Sequence, residues 1–162
     1  MAENSQPSAI SVHCVVEAGE WPPQEVLQHF AEQAVAATTA LVDGAPAGPL
    51  TILFTDDAEM RAMNARFRGK DKPTNVLSFP AEARAFPPGA PRHLGDIALG
   101  YGIVASEAEA EEKPFEHHLT HLLVHGFLHI LGYDHELPQQ AEDMEALERQ
   151  ILQSLAIPDP YA

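Results

Sequence analysis

A histidine motif near the C-terminal end of the chain most constrains its fold. His125, His129 and His135 match the pattern H-x3-H-x5-H. Residues four apart on a helix lie about 40° apart around its axis and about 6 Å along it, so the first two imidazoles can face one ion. Gly132 can end the helix in a left-handed conformation, which lets the third imidazole approach from the side. Three imidazoles leave one tetrahedral position for water, so the motif predicts a helix that carries a catalytic type of zinc site.

Hydrophobic periodicity around this motif predicts an α+β fold. The predicted strands cover residues 10–17, 50–55, 76–79 and 94–100. Five helices are predicted. Three of them begin after Pro22 and Pro23, at Asp56 and at Pro138, and the other two cover residues 103–112 and 115–131. The side chains of the last helix that we expect to face the core are Met144, Leu147, Ile151 and Leu155. Together these elements indicate a small mixed four-stranded sheet packed with about five helices.

The length of 162 residues predicts a single domain, residues 1–162, with loose tails at 1–8 and 157–162. The one cysteine, Cys14, has no partner for an internal disulfide, and its alternating apolar segment predicts a buried side chain rather than a reactive thiol. The sequence contains no secretory apolar core and no apolar run of the about 20 residues that cross a bilayer. We therefore expect a cytoplasmic protein without a membrane span.

Basic residues are concentrated in one segment of an otherwise acidic chain. The formal net charge is −15, which argues against sequence-independent binding to nucleic acid. Five of the nine basic residues lie within residues 61–72, namely Arg61, Arg66, Arg68, Lys70 and Lys72. Residues 61–80 contain one acid, Asp71, and therefore carry +4, which leaves −19 on the remainder. A charged run is usually a solvated face, but this one could also admit a polyanion, and charge alone does not decide.

The histidine spacing is that of the metzincin proteases, with one difference. Those enzymes carry a glutamate general base directly after the first histidine, and here that position is Gly126. Its loss would cost a peptidase about 10²–10⁴-fold in rate, so phosphodiester hydrolysis is favoured over peptide hydrolysis. Phosphodiester cleavage needs a cation near phosphorus, and Arg68 is the candidate because a guanidinium can bind two phosphate oxygens. The alternative is that Arg68 caps its own helix.

Other polar residues near the motif have open roles. His117 lies too far around and along the helix to reach the ion. His121 could support a ligand, although a packed or solvated histidine is the favoured interpretation. Asp134 could orient a histidine, accept a proton or stabilise its own turn, and Tyr133 is expected to pack rather than act as an acid catalyst.

Three segments resemble the YbeY family of bacterial metallo-endoribonucleases. Residues 125–135, HGFLHILGYDH, are similar to the family's histidine motif. Residues 67–80, FRGKDKPTNVLSFP, are similar to its second characteristic segment, and residues 94–97, LGDI, also match. The segments follow one another in the family's order, and the resemblance covers roughly residues 10–155.

The resemblance implies a zinc-dependent endoribonuclease that acts on single-stranded RNA. It implies one Zn²⁺ per chain, bound by His125, His129 and His135, with Arg68 as a further catalytic residue. Neighbouring RNA contacts would come from Lys70 and Lys72. The implied role is rRNA processing, notably 3′ end maturation of 16S rRNA, and ribosome quality control. The implied partners are the rRNA precursor, the ribosomal small subunit and its assembly factors, with no DNA and no membrane.

Two further functions remain open at the level of sequence. One is a metallopeptidase with an unusual base in place of the missing glutamate. The other is a non-enzymatic ribosome assembly factor in which zinc staples the fold. A structural zinc usually has four protein ligands, so a set of three favours catalysis. A third interpretation of the motif is a histidine-rich helix whose imidazoles are satisfied at the surface.

Overall fold

One sheet and five helices make up the part of the chain that the computed structural model describes, residues 10–81 and 93–161. The strands are β1 (Ile10–Val16), β2 (Gly48–Thr55), β3 (Val76–Pro80) and β4 (Gly95–Gly100). The helices are α1 (Gln24–Leu41), α2 (Asp57–Arg68), α3 (Tyr101–Ala110), α4 (Phe115–Ile130) and α5 (Pro138–Ser154). The predicted α+β fold is confirmed. None of these helices combines the length and the apolarity needed to traverse a bilayer.

The sheet is mixed, with the strand order β1-β2-β4-β3. β1 pairs with β2 and β2 with β4 in parallel, whereas β3 runs antiparallel to β4. In the register of the edge strand, Ser78 of β3 lies opposite Ile97 of β4. β3 contacts α4, and this edge of the sheet therefore borders the helix of the histidine motif.

The two faces of the sheet are covered by different helices. Alternate residues of a strand point to opposite faces. Ile52 and Phe54 of β2 are buried in the large core with residues of α1, α4 and α5. On the other face, Leu77 and Ala98 form a smaller cluster with Met60 of α2. The sheet thus separates α2, which carries Arg68, from the layer that contains α4.

Local sequence fixes both ends of α2. The Asp56 carboxylate accepts a hydrogen bond from the backbone amide of Glu59 at 2.9 Å, the N-cap that the sequence predicts. The helix ends at Gly69, whose φ of +71° is a left-handed conformation that glycine adopts without steric cost. Arg68 is therefore the last helical residue before the chain turns towards β3.

Cys14 is buried, as predicted from its alternating segment. Burial, with a smaller contribution from nearby Glu32, raises the pKa of the Cys14 thiol to about 12. Because the thiolate is the reactive form, this environment suits a core side chain and not a nucleophile.

Residues 157–161 differ from the loose tail that the sequence predicts. Ile157 packs against the large core, and Asp159 pairs with Arg149 at 3.2 Å. The hydroxyl of Tyr161 donates a hydrogen bond to the buried carboxylate of Glu148 at 2.5 Å. The segment therefore packs against the rest of the protein through the side chains of Ile157 and Tyr161. The predicted tail at 1–8 lies outside the described residues.

Candidate metal centre and substrate cavity

Three imidazoles converge where α4 ends. His125 and His129 lie on α4, and His135 follows five residues after its last turn. One ring nitrogen from each lies within 4.8 Å of the others, an arrangement that can hold a metal ion. The Nε2 atoms of His125 and His129 are 3.2 Å apart. Two ligands of a tetrahedral zinc stand about 3.3 Å apart when each bond is about 2.0–2.1 Å, so this pair fits such an ion.

The turn after α4 brings the third imidazole back to the helix. Gly132 has a φ of +105°, and its backbone amide donates to the carbonyl of His129 at 3.0 Å. The side chain of Asp134 accepts a hydrogen bond from the backbone amide of His135 at 2.7 Å. This hydrogen bond stabilises the turn, which is one of the roles that the sequence left open for Asp134.

The two helical histidines of the cluster, His125 and His129, each have a hydrogen-bond partner at Nδ1. His129 Nδ1 donates to the backbone carbonyl of Tyr133 at 2.9 Å, and His125 Nδ1 donates to Glu148 Oε2 at 2.7 Å. A proton on Nδ1 leaves the Nε2 lone pair of the neutral ring free for a metal. Partial burial lowers the pKa of His129, and the neighbouring His125 and His135 lower it further by repulsion. Both effects favour the neutral form that binds a metal.

Arg68 reaches the same region from the opposite layer. Its Nη2 donates to the backbone carbonyl of Ser78 on β3 at 2.8 Å. The Ser78 hydroxyl in turn donates to the carbonyl of Gly126 on α4 at 2.9 Å. The guanidinium carbon also lies 5.8 Å from the ring centroid of Phe79. Arg68 thus contacts β3, and it also lies in the last turn of α2, where a cation interacts favourably with the helix dipole.

A cavity of about 880 Å³, here called the metal cavity, joins these groups. It is lined by His125, His129, His135, Arg68, Lys70 and Lys72, among others. The buried amide of Asn64 donates to the carbonyl of Lys72 at 2.9 Å and so fixes the loop that carries both lysines. Arg61 pairs with Asp71 at 2.8 Å and is neutralised within the basic segment. Three of the five clustered cations therefore face the candidate site.

Gly126, where metzincins carry their glutamate, faces the sheet. A Cβ atom built there would lie 3.1 Å from Ile97 Cγ2, 3.2 Å from Ser78 Oγ and 3.3 Å from Val76 Cγ2. These contacts are tighter than usual, so a larger side chain would require Ile97, Ser78 or Val76 to shift. The proton acceptor of a metzincin peptidase is absent from the sequence at this position, and the packing disfavours a side chain there.

Glu148 lies behind the cluster and was not predicted from the sequence. This fully buried carboxylate accepts hydrogen bonds from His125, from His121 at 2.8 Å and from Tyr161. Burial alone would raise the pKa of Glu148, but the hydrogen bonds from His121, His125 and Tyr161 outweigh it and lower the pKa to about 2. His121, for which the sequence favours a packed or solvated side chain, is largely buried and shares this carboxylate with His125. The one sequence signal for this role is that Glu148 lies among the apolar positions of α5.

A second cavity of about 740 Å³, here called the acidic cavity, lies on the other side of His125. It is lined by Glu107, Glu111, Glu112, His117, His118 and His121, together with residues 157–161. His118 Nε2 lies 2.8 Å from Glu107 Oε1. His117 belongs to this cavity and not to the metal cluster, as the helical spacing predicts.

Comparisons with known proteins agree with this geometry. The family model described as endoribonuclease YbeY matches residues 17–156. A protein named endoribonuclease YbeY from Chelativorans sp. (strain BNC1) is 62% identical over 99% of this chain and 98% of its own length. Another of that name from Rhodopseudomonas palustris is 53% identical over 91% of this chain and 79% of its own length. The solution structure of TM1509 from Thermotoga maritima is similar in fold, with a TM-score of 0.55 at 23% identity over 91% of each chain.

Proposed function

The chain belongs to the YbeY family of endoribonucleases, and we propose that it cleaves single-stranded RNA with one zinc ion bound by His125, His129 and His135. Its role is the processing of rRNA precursors, notably 3′ end maturation of 16S rRNA, and ribosome quality control. Its partners are the ribosomal small subunit and its assembly factors in the cytoplasm, and it acts on neither DNA nor membranes. The observation that carries this proposal is the convergence of three imidazoles and Arg68 on one cavity.

The donor set suits a catalytic zinc. The Nε2 atoms of His125 and His129 are already spaced as two tetrahedral ligands, and their Nδ1 protons are held elsewhere. When bound, zinc supplies a Lewis acid and lowers the pKa of a coordinated water to about 7. Three protein ligands leave room for that water, which supports hydrolysis over a purely structural zinc.

Arg68 supplies the charge that phosphodiester cleavage needs. Negative charge builds on the phosphoryl oxygens in the transition state, and a guanidinium held near them lowers the barrier. The hydrogen bond to Ser78 uses one of the five N–H donors of Arg68, so others remain for a phosphate. Lys70 and Lys72 line the same cavity and would contact flanking phosphates as point charges.

The two other functions have less support. A metallopeptidase of this spacing lacks its glutamate, and the close packing around Gly126 disfavours a side chain at that position. An assembly factor stapled by zinc accounts for the histidines, but it does not account for a cavity that also presents Arg68, Lys70 and Lys72.

Single-turnover cleavage of a single-stranded RNA oligonucleotide by the zinc-loaded protein tests the proposal. We expect His129→Ala to abolish cleavage, because it removes a metal ligand. We expect Arg68→Ala to slow the reaction about 10²–10³-fold, the usual cost of losing one donor that stabilises transition-state charge. Arg66→Ala is the matched control, since Arg66 is exposed on the same helix and contacts Phe67 instead. A DNA oligonucleotide of the same sequence should remain intact.

Equal residual cleavage in all variants would mean that a contaminating nuclease is responsible. Turnover of a peptide library without RNA cleavage would replace the proposal by the metallopeptidase. For the cellular role, cells that carry only the Arg68→Ala variant should accumulate 16S rRNA with an unprocessed 3′ end. Normal 16S ends in those cells would contradict a role of this site in that step.

A further inference from the structure

We infer that Glu148 is a positioning residue for the metal ligand His125, and that the C-terminal segment 157–161 completes this support through Tyr161. The inference rests on the proposed function only in that it takes His125 as a metal ligand. Neither Glu148 nor Tyr161 belongs to the histidine motif, and both lie outside the metal cavity.

Glu148 holds His125 from behind. Its Oε2 accepts from His125 Nδ1 at 2.7 Å, while its Oε1 accepts from His121 Nε2 at 2.8 Å and from the Tyr161 hydroxyl at 2.5 Å. The side chain of Glu148 has no exposed surface. A buried carboxylate without partners is costly, so its three donors and the carboxylate fix one another.

This contact selects the form of His125 that can bind a metal. A carboxylate oxygen accepts hydrogen bonds and does not donate them, so the proton of neutral His125 must sit on Nδ1. The Nε2 lone pair then points to His129 Nε2, 3.2 Å away. A carboxylate hydrogen-bonded to Nδ1 also makes the Nε2 atom of the imidazole more basic and therefore a stronger metal ligand.

Segment 157–161 delivers the third donor. Ile157 packs against the large core, and Asp159 pairs with Arg149 at 3.2 Å. The Arg149 guanidinium carbon lies 5.3 Å from the centroid of the Tyr161 ring. These contacts hold the Tyr161 hydroxyl over Glu148 and His121, at 3.3 Å from His121 Nε2. The segment thereby acts on the metal centre without touching it.

Zinc affinity of the metal-stripped full-length protein, measured by competition with a chelator, tests the inference. We expect Glu148→Gln to weaken zinc binding about 10–100-fold, the usual effect of losing the partner of a metal-bound histidine. Tyr161→Phe removes one hydrogen bond and should weaken binding about two- to tenfold. Glu142→Gln, an exposed acid on the same helix, is the matched control and should bind zinc as the unchanged protein does.

Nitrogen chemical shifts of the imidazoles separate positioning from a merely structural role. In the metal-free protein, His125 should be the Nδ1–H form, and Glu148→Gln should give a mixture of both neutral forms. A folded Glu148→Gln variant with zinc affinity within about twofold of the unchanged protein would overturn the inference. If that variant does not fold, Tyr161→Phe decides: weaker zinc binding supports the inference, and unchanged binding overturns it.

Failure of this inference and failure of the proposed function are distinguishable, because zinc affinity is measured without RNA. Weakened zinc binding in the variants, together with an unchanged protein that cuts no RNA, would retain the positioning role and remove the endoribonuclease. RNA cleavage with unaltered zinc binding in both variants would do the reverse.

Discussion

Two cavities meet at His125, and their histidines are engaged differently. In the metal cavity, the Nε2 atoms of His125 and His129 face each other at 3.2 Å. In the acidic cavity, the Nε2 atoms of His118 and His121 each lie 2.8 Å from a carboxylate oxygen. A ring nitrogen that donates its proton to a carboxylate has no lone pair left for a metal, so the Nε2 atoms of His118 and His121 cannot serve as ligands in this arrangement. The number of nearby histidines therefore does not define a metal site. What defines it is which ring nitrogen, Nδ1 or Nε2, each histidine uses for its hydrogen-bond partner.

The largest expected difference between the cavities is in the response to zinc. Zinc at about 1,000 times its dissociation constant should stabilise the unchanged protein by about 4 kcal/mol, because it binds only the folded state. His129→Ala should lose this stabilisation and bind no equivalent of zinc, whereas His117→Ala should keep both. Urea unfolding with and without zinc measures the effect. Stabilisation of the His129 variant by zinc would break the comparison.

A smaller effect is expected for the acidic cavity, and of a different kind. His118→Ala removes one hydrogen-bond partner of Glu107, which keeps its contacts with the side-chain amide of Asn75. We expect the metal-free protein to lose about 0.5–1.5 kcal/mol of unfolding free energy, the net contribution of one hydrogen bond. One equivalent of zinc should still bind, as judged by metal analysis. Loss of the metal in this variant would show that the two histidine groups are not independent.

The smallest expected effect is on the salt dependence of RNA binding, and it arises from the different charges of the two cavities. If about three phosphates are contacted, RNA affinity should fall about 20-fold between 50 and 200 mM salt, from a slope of about −0.7 per phosphate. Lys70→Ala or Lys72→Ala should each flatten the slope by about 0.7. Lys113→Ala should leave it unchanged, since Lys113 lines the acidic cavity and pairs with Glu111 at 2.8 Å. Fluorescence anisotropy of a labelled single-stranded RNA measures these slopes, and a slope typical of ten phosphates would contradict local binding.

Features coded by neighbouring residues were predictable from the sequence. The N-cap at Asp56 and the convergence of His125 and His129 follow from spacings of three and four residues on a helix. The α+β class follows from alternation and helical periodicity, and the structure confirms it. The strand order β1-β2-β4-β3 was not predicted, because strand pairing depends on contacts between residues far apart in the chain.

The support behind His125 was hidden for the same reason. Glu148 contacts His125 across 23 residues, and Tyr161 contacts His121 across 40. Of the residues that the sequence predicts on the inner face of α5, Met144 and Ile151 are buried and Leu147 packs against the core, but Glu148 and Leu152 are also fully buried and were not predicted. A carboxylate takes the inner position because imidazole and phenol groups from other segments supply its hydrogen bonds. No local pattern contains those partners.

The hydrogen bonds from Arg68 to Ser78 and from Ser78 to Gly126 tie the two layers of the site together through main-chain carbonyls. The guanidinium is therefore connected to the backbone of Gly126, one residue after His125. A sliding movement of α2 past α4 would have to break at least one of these bonds. The distance between the positive charge of Arg68 and the imidazole cluster is therefore maintained by the backbone of β3 and α4.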